Sequence, residues 1–289
     1  MRAKRLRIKQ ILRYLSQVVE KPVLTSFLVL ICLSTLVLGL SYSYYVEDNY
    51  NFVGQVLAEA HGMLFDIAVI GILIYWLNEN GAKNLRIRTY KDEIDDFRLW
   101  ESEEAAFRTV GNIKRLNRHN IFNIELVNCH LTKTNLSYIN LTGANLNSAN
   151  VTNSNLVQCR LTNARMNQTN FEGSNLNQAH LEKSYASGAN FNNTFLMKAN
   201  LSEAFLIKSS FENAFLTEAN LRGAFVMGVD FTNATLYKAD LREAEGLTAE
   251  QLLTAKSLYQ VQLDEPLLSE IRELNTALLE SPSQKDPVG

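Results

Sequence analysis

Glu59, His61 and Asp66 stand in or beside an otherwise apolar run. Two carboxylates and an imidazole within eight residues are the parts of a proton path or a weak cation site. An ionisable group inside a membrane helix is costly enough to be a functional candidate by default. Read as helix, the three are expected roughly along one side. Asp66 also has a plainer reading, in which the helix starts later or tilts and the carboxylate sits at the outer interface. One histidine and two carboxylates are too few to define a metal site, and no cofactor is expected. The remaining chemistry-bearing residues are dispersed. Cys32 lies in an apolar run, and Cys129 and Cys159 are read as small core residues with no disulfide between them. No Gly-rich phosphate loop, nucleophile motif or metal-ligand spacing appears among the four histidines, so an enzyme is not expected.

The elements around these residues are two apolar runs. Residues 23–46 carry no charge before Glu47, and the run is long enough to span a hydrocarbon core. Tyr42, Tyr44 and Tyr45 suit an interfacial belt, and no small-residue cleavage site follows, which argues against a signal peptide. A second run, Met63–Leu77, extends back through residues 52–60 and ends at Tyr75 and Trp76. Seven Lys/Arg precede the first run, and Lys83, Arg86, Arg88 and Lys91 follow the second. The loop between them holds Glu47 and Asp48. The positive-inside rule then predicts a two-pass protein with both termini in the cytoplasm.

Beyond a charged, helical connector the chain acquires a period of five. Every fifth residue from Leu126 to Leu241 is apolar, 24 in all. The residue two places earlier is Ala twelve times, Ser four, Thr three and Cys twice, with only Ile124, Ile139 and Val229 larger. Neither a helix nor an ordinary strand has this period, so a repeat architecture must produce it. Stretches such as ANLNSANVTNSNL and KANLSEAFL resemble the pentapeptide-repeat family, whose unit reads A(D/N)LXX. The resemblance covers some 125 residues. It implies an all-β repeat solenoid, a right-handed quadrilateral β-helix of about six coils, with the centre residue and the small residue before it pointing inward. A fold of this kind serves unrelated roles. The stretch upstream, YKDEIDDFRLWESEEAAFRTVGNIKRLNR, is similar to one that precedes the repeats in bacterial membrane-bound members, which points to the bacterial inner membrane.

Helical caps are expected at both ends of the solenoid. Ser102 is a plausible N-cap before Ala106, Val110 and Ile113, and Thr248 with Gln251 makes a capping box. Leu267, Leu268, Ile271, Leu274 and Leu278 form an amphipathic stripe that closes the last coil or meets another chain. The organisation is thus a basic N-terminus (1–22), spans at 23–46 and 52–78, and a connector and cap (82–118). The β-helix (119–246), a C-terminal cap (247–280) and a disordered tail (281–289) complete it.

The outward positions bear on function. Ten residues just before a centre are Asn, and positions twenty apart stack, so amide ladders up the column are expected. In the second half Tyr185, Phe205 and Phe225 replace Asn on one side, and Phe195 and Phe215 on the opposite side. Met197, Ile207 and Met227 follow the centres on those sides. Either the rings only stack between coils, or they form a contact surface for another subunit or a partner. Ala186, the smallest centre, is expected to mark an irregularity or thin spot. Some pentapeptide-repeat proteins imitate DNA and bind topoisomerases. The nine Lys/Arg against ten Asp/Glu between 121 and 245 argue against that role and against nucleic acid. The leading expectation is a membrane-anchored scaffold that lies in the lipid bilayer and binds a cytoplasmic protein or copies of itself. The alternative is an oligomeric channel or membrane-disrupting effector.

Overall fold

The structure is a computed structural model that describes residues 31, 32, 34–40, 42 and 52–281. Readings made for 1–22, for most of the first span and for 282–289 fall outside those residues. The chain divides into two compact units, Met1–Arg86 and Ile87–Gly289.

In the first unit, the described residues between 31 and 42 are helical. The helix α1, Phe52–Asp96, begins in this unit. Among the described residues it is the one helix long and apolar enough to cross a membrane, and none of its apolar window is buried. Met63, Phe65, Ile67, Ile70, Leu73, Ile74, Trp76 and Leu77 are all exposed, so apolar side chains surround the helix instead of lining one face.

The second unit is a four-sided parallel coil. Bridges pair each residue before a centre with the one twenty positions on, from Glu125↔Asn145 to Phe225↔Glu245. Twenty residues at five per side close one turn, so the period of five is the length of a side. The first side is centred on Leu126, Leu146, Met166, Ala186, Leu206 and Val226. The second runs from Leu131 to Phe231, the third from Leu136 to Leu236, and the fourth from Leu141 to Leu241. Every one of these centres is at most 1% exposed. On the second side four Phe centres stack through the core, with centroid distances of 5.1, 4.7 and 5.8 Å along Phe171, Phe191, Phe211 and Phe231.

The corners fix this geometry. At all 24 units the residue two after the centre has φ between +54° and +69°. The centre carbonyl accepts from the N–H three residues on at most corners, as in Cys129 N to Leu126 O at 3.1 Å. That is a type II turn, which requires positive φ at its third residue. The sequence obeys the requirement: none of the 24 corner residues is Val, Ile or Thr, whereas nine of the 24 residues just before them are. β-branched side chains are the least tolerated in this region.

Both ends are covered, by different means. The helix α2, Glu103–Arg118, starts at Ser102, whose hydroxyl accepts from Ala105 N at 3.1 Å. It buries Ala106, and its buried Val110, Ile113 and Leu116 belong to the same core as the first coil. Asn117 Oδ1 accepts from Asn140 N at 2.8 Å, where interior coils supply a backbone carbonyl. At the other end the β-helix runs on past 246, where the fifth-residue pattern stops. A short helix α3, Ala249–Leu253, with the capping box at Thr248 and Gln251, takes the place of one side. Two further units follow, and their bridges Thr235↔Ser257 and Asp240↔Gln262 span 22 residues instead of 20. Leu258 and Leu263 are their buried centres. The boundary expected at 246 is therefore corrected: the two residues that α3 adds shift the repeat out of phase and hide it. The helix α4, Glu265–Leu274, buries Ile271, with Leu267, Leu268 and Leu278 partly buried, while Leu274 is exposed and leaves the expected stripe.

Ala186 shows no irregularity. Its N–H donates to Phe205 O at 2.8 Å, and Tyr185 bridges Arg165 and Phe205 as at any other coil. The corner turns carry the path of the chain, so a small centre leaves it unchanged.

Candidate interaction surface

The outward face is built from the residues on either side of each centre. The ten Asn residues do not form amide ladders. Each side chain accepts from the backbone N–H two residues on, at 2.9–3.3 Å, and so closes its own turn. Asn side chains that accept from the backbone of the next coil are those just after the centre. Asn147, Asn167, Asn177 and Asn192 accept from Asn167 N, Ser187 N, Met197 N and Glu212 N. The expected amide columns are corrected accordingly: a side chain two residues from a free N–H reaches it more readily than the next coil.

Where aromatics replace Asn, the turn loses that closing bond and gains a stack. Tyr185, Phe205 and Phe225 stack on the first side, at 4.8 and 4.5 Å and within 3° of parallel. Phe195 and Phe215 stack on the third side at 5.1 Å and 4°. Each ring covers the face of the next and leaves its edge outward. Tyr185 and Phe195 remain 45% and 40% exposed, and Met197 and Met227 are exposed beside them, while Phe205, Phe215, Phe225 and Ile207 are half-buried. At the same levels the second and fourth sides keep Asn190, Ser210, Asn200 and Asn220.

The fourth side carries a polar cluster instead. Glu182 accepts from Thr162 Oγ1 at 2.9 Å and Asn200 Nδ2 at 2.7 Å, and lies 3.2 Å from His180 Nδ1. Partial burial acts to raise its carboxyl. The hydrogen bonds from its own backbone N–H, Thr162 and His180 outweigh burial and hold it below the usual value. The corner residues add exposed ion pairs, Lys183–Glu203 and Lys198–Glu218, both at 3.5 Å.

The other candidates do not assemble. On α1, Glu59 and Asp66 are seven residues apart and share a face, whereas His61 lies about 200° around from Glu59 at 100° per residue. The single helical side expected for all three is corrected by that angle. Glu59 and Asp66 are exposed, and His61 Nδ1 is 2.6 Å from Leu57 O. Among the described residues no group of three or more His, Cys, Asp or Glu is placed to hold a metal. Cys129 and Cys159 are buried on opposite sides and free, and burial pushes both thiols up to about 12.

Residues 124–163, 164–203, 196–233 and 209–245 match the pentapeptide repeats family, in eight copies. No curated protein matches the chain. Among solved structures, it is similar to QnrB1, a plasmid-mediated fluoroquinolone resistance protein, with 20% identity over 55% of this chain and 85% of that one, and a TM-score of 0.40. It is also similar to HetL, a pentapeptide repeat protein involved in heterocyst differentiation regulation from the cyanobacterium Nostoc sp. strain PCC 7120. That match has 23% identity over 53% and 79% of the two chains and a TM-score of 0.26. A pentapeptide repeat protein from the thylakoid lumen of Arabidopsis thaliana matches with 25% identity over 36% and 69%, and a TM-score of 0.25. The five-residue sides, the 20-residue coil and the family match agree: residues 124–245 are a pentapeptide-repeat segment, and pentapeptide repeat proteins fold as right-handed quadrilateral β-helices.

Proposed function

We propose that the protein is a membrane-anchored, non-enzymatic scaffold whose β-helix binds a cytoplasmic partner, or further copies of itself, through the two aromatic stripes. The observation that carries this reading is the exchange of Asn for aromatics on the first and third sides alone. Stabilising the column does not require it, because the second and fourth sides at the same levels remain polar. It leaves Tyr185, Phe195, Met197 and Met227 exposed on two opposite faces. Such faces suit a binding surface.

Anchoring rests on α1. Its exposed apolar stretch, roughly residues 57–77, is about 31 Å long at 1.5 Å per residue, close to the thickness of a hydrocarbon core. The two-pass topology at an inner membrane, with both termini and the repeats in the cytoplasm, rests on the charge pattern around residues 23–46 and 52–78.

The test replaces Phe205 and Phe215 by Asn, the residue that other coils carry at this position. Each replacement removes the ring and restores the turn-closing acceptor, so the column folds. The reading predicts that self-association or partner binding is lost while thermal unfolding shifts little. Unchanged association with a clear fall in the unfolding midpoint would reduce the stripes to coil stacking.

A further inference from the structure

Both stripes are apolar, but the first alone has charged ends. Bridges stack Arg165, Tyr185, Phe205, Phe225 and Glu245 on successive coils of the first side. At about 4.8 Å per coil, Arg165 lies about 10 Å below Phe205 and Glu245 about 10 Å above it. Both are exposed, and neither has an ion pair among the described residues. The charges near Glu245 are already matched, Arg222 with Glu243 and Arg242 with Asp240. On the third side Phe195 and Phe215 stand between Asn175 and Thr235, which carry no charge.

Turned end over end, the first side is complementary to itself. Consider a two-fold axis that crosses the face, at right angles to the column, at the level of Phe205. It brings each residue before a centre opposite the one an equal number of coils away in the other direction. Arg165 then meets Glu245, Tyr185 meets Phe225, and Phe205 meets its own equivalent. The residues after the centres obey the same rule, so Ile207 meets Ile207 and Met227 meets Ser187. A two-fold along the column has no such result. It sets residues before the centres against residues after them, and on this side those from Val127 to Met227 are uncharged. Arg165 and Glu245 would both stay unmatched. The corners also permit close approach. One level below and one above Phe205, on one edge of the face, the corner residues are Gly188 and Gly228, which put no side chain between the two columns. Glu203 and Lys208, at the corners beside Phe205, meet their own equivalents. Both are exposed at the rim, where like charges cost little.

We propose that the first side is a homodimer interface, in which two columns pack antiparallel about this axis and Arg165 pairs with Glu245 of the partner subunit, twice. The inference rests on the contact role given to the stripes and assigns the first of them to a second copy of this chain. One side of a column is a narrow face. The rings supply the attraction, and the two charge pairs set direction and register.

The experiment is thiol cross-linking of the full chain in native membranes with a short bis-maleimide, on a Cys32→Ser background. Arg165, Glu245 and Ile207 lie outside the core, so their variants fold. Ile207→Cys should cross-link to itself. Arg165→Cys and Glu245→Cys, co-expressed with different tags, should cross-link to each other and neither to itself. Arg165→Glu should lower cross-linking at Ile207→Cys about tenfold, and adding Glu245→Arg should restore it. Cross-linking at Ile207→Cys that ignores the charge reversal, or Arg165→Cys that cross-links to itself, would overturn the antiparallel dimer. So would no cross-linking at Ile207→Cys. If Phe215→Asn still abolished association in that case, the contact role of the stripes would stand without this dimer. If neither Phe205→Asn nor Phe215→Asn changed association, both would fall.

Discussion

Between residues 185 and 230 the column carries two kinds of side. The second and fourth hold Asn190, Asn200 and Asn220, each closing its own turn. The first and third hold stacked rings that close no turn. The corners have the same left-handed conformation on every side, and the coil-to-coil ladder passes through both kinds without interruption. The backbone therefore does not depend on which residue stands before the centre. That position is open to selection for something other than folding, and on two sides it has become apolar.

If corners and core carry the fold while the position before the centre carries recognition, the largest stability effects must be blind to side. Phe191→Ala removes a ring stacked between Phe171 and Phe211 and should destabilise by about 3–5 kcal/mol. Denaturant unfolding measures it, and a loss under 1 kcal/mol would break the scheme. A corner substitution should come next. Lys198→Val forces a β-branched residue to φ +58° and should lose about 1–2 kcal/mol. Met197→Thr, one residue earlier, should be close to neutral.

The position before the centre should matter less. Asn170→Ala removes the acceptor for Glu172 N and should destabilise by about 0.5–1.5 kcal/mol. The smallest effect distinguishes the polar fourth side from the apolar first. The Glu182 carboxyl is held below its ordinary value in the folded chain, so its contribution is full at neutral pH. It is lost as pH falls through and below that ordinary value of about 4.5. Glu182→Gln should therefore flatten the acid limb of the stability curve, and substitutions at Tyr185 should leave it unchanged.

Much of this architecture was legible in the sequence, because a five-residue side writes its period directly into the inward positions. The cap at Ser102, the core placement of Cys129 and Cys159 and the stacking of Tyr185, Phe205 and Phe225 all follow from spacing. The units at Leu258 and Leu263 were hidden because α3 adds two residues and breaks the phase. The corners had a readable signal, the absence of Val, Ile and Thr two after each centre, but it appears only once φ is considered. For the Asn residues the spacing points one level too far, to ladders between coils, because stacking distance alone does not say which N–H an amide will reach first.

The contact claim is tested most directly by thiol labelling of single-cysteine variants in native membranes and in purified protein. Cys32→Ser provides the background, because burial of Cys129 and Cys159, which pushes both thiols up to about 12, should keep them from the reagent. Met197→Cys and Met227→Cys report on the two stripes, Glu212→Cys and Ser202→Cys on the polar sides. The account predicts that the two stripe positions label more slowly in membranes than in dilute purified protein, while the polar positions label alike in both. Equal labelling of all four in both preparations would contradict it.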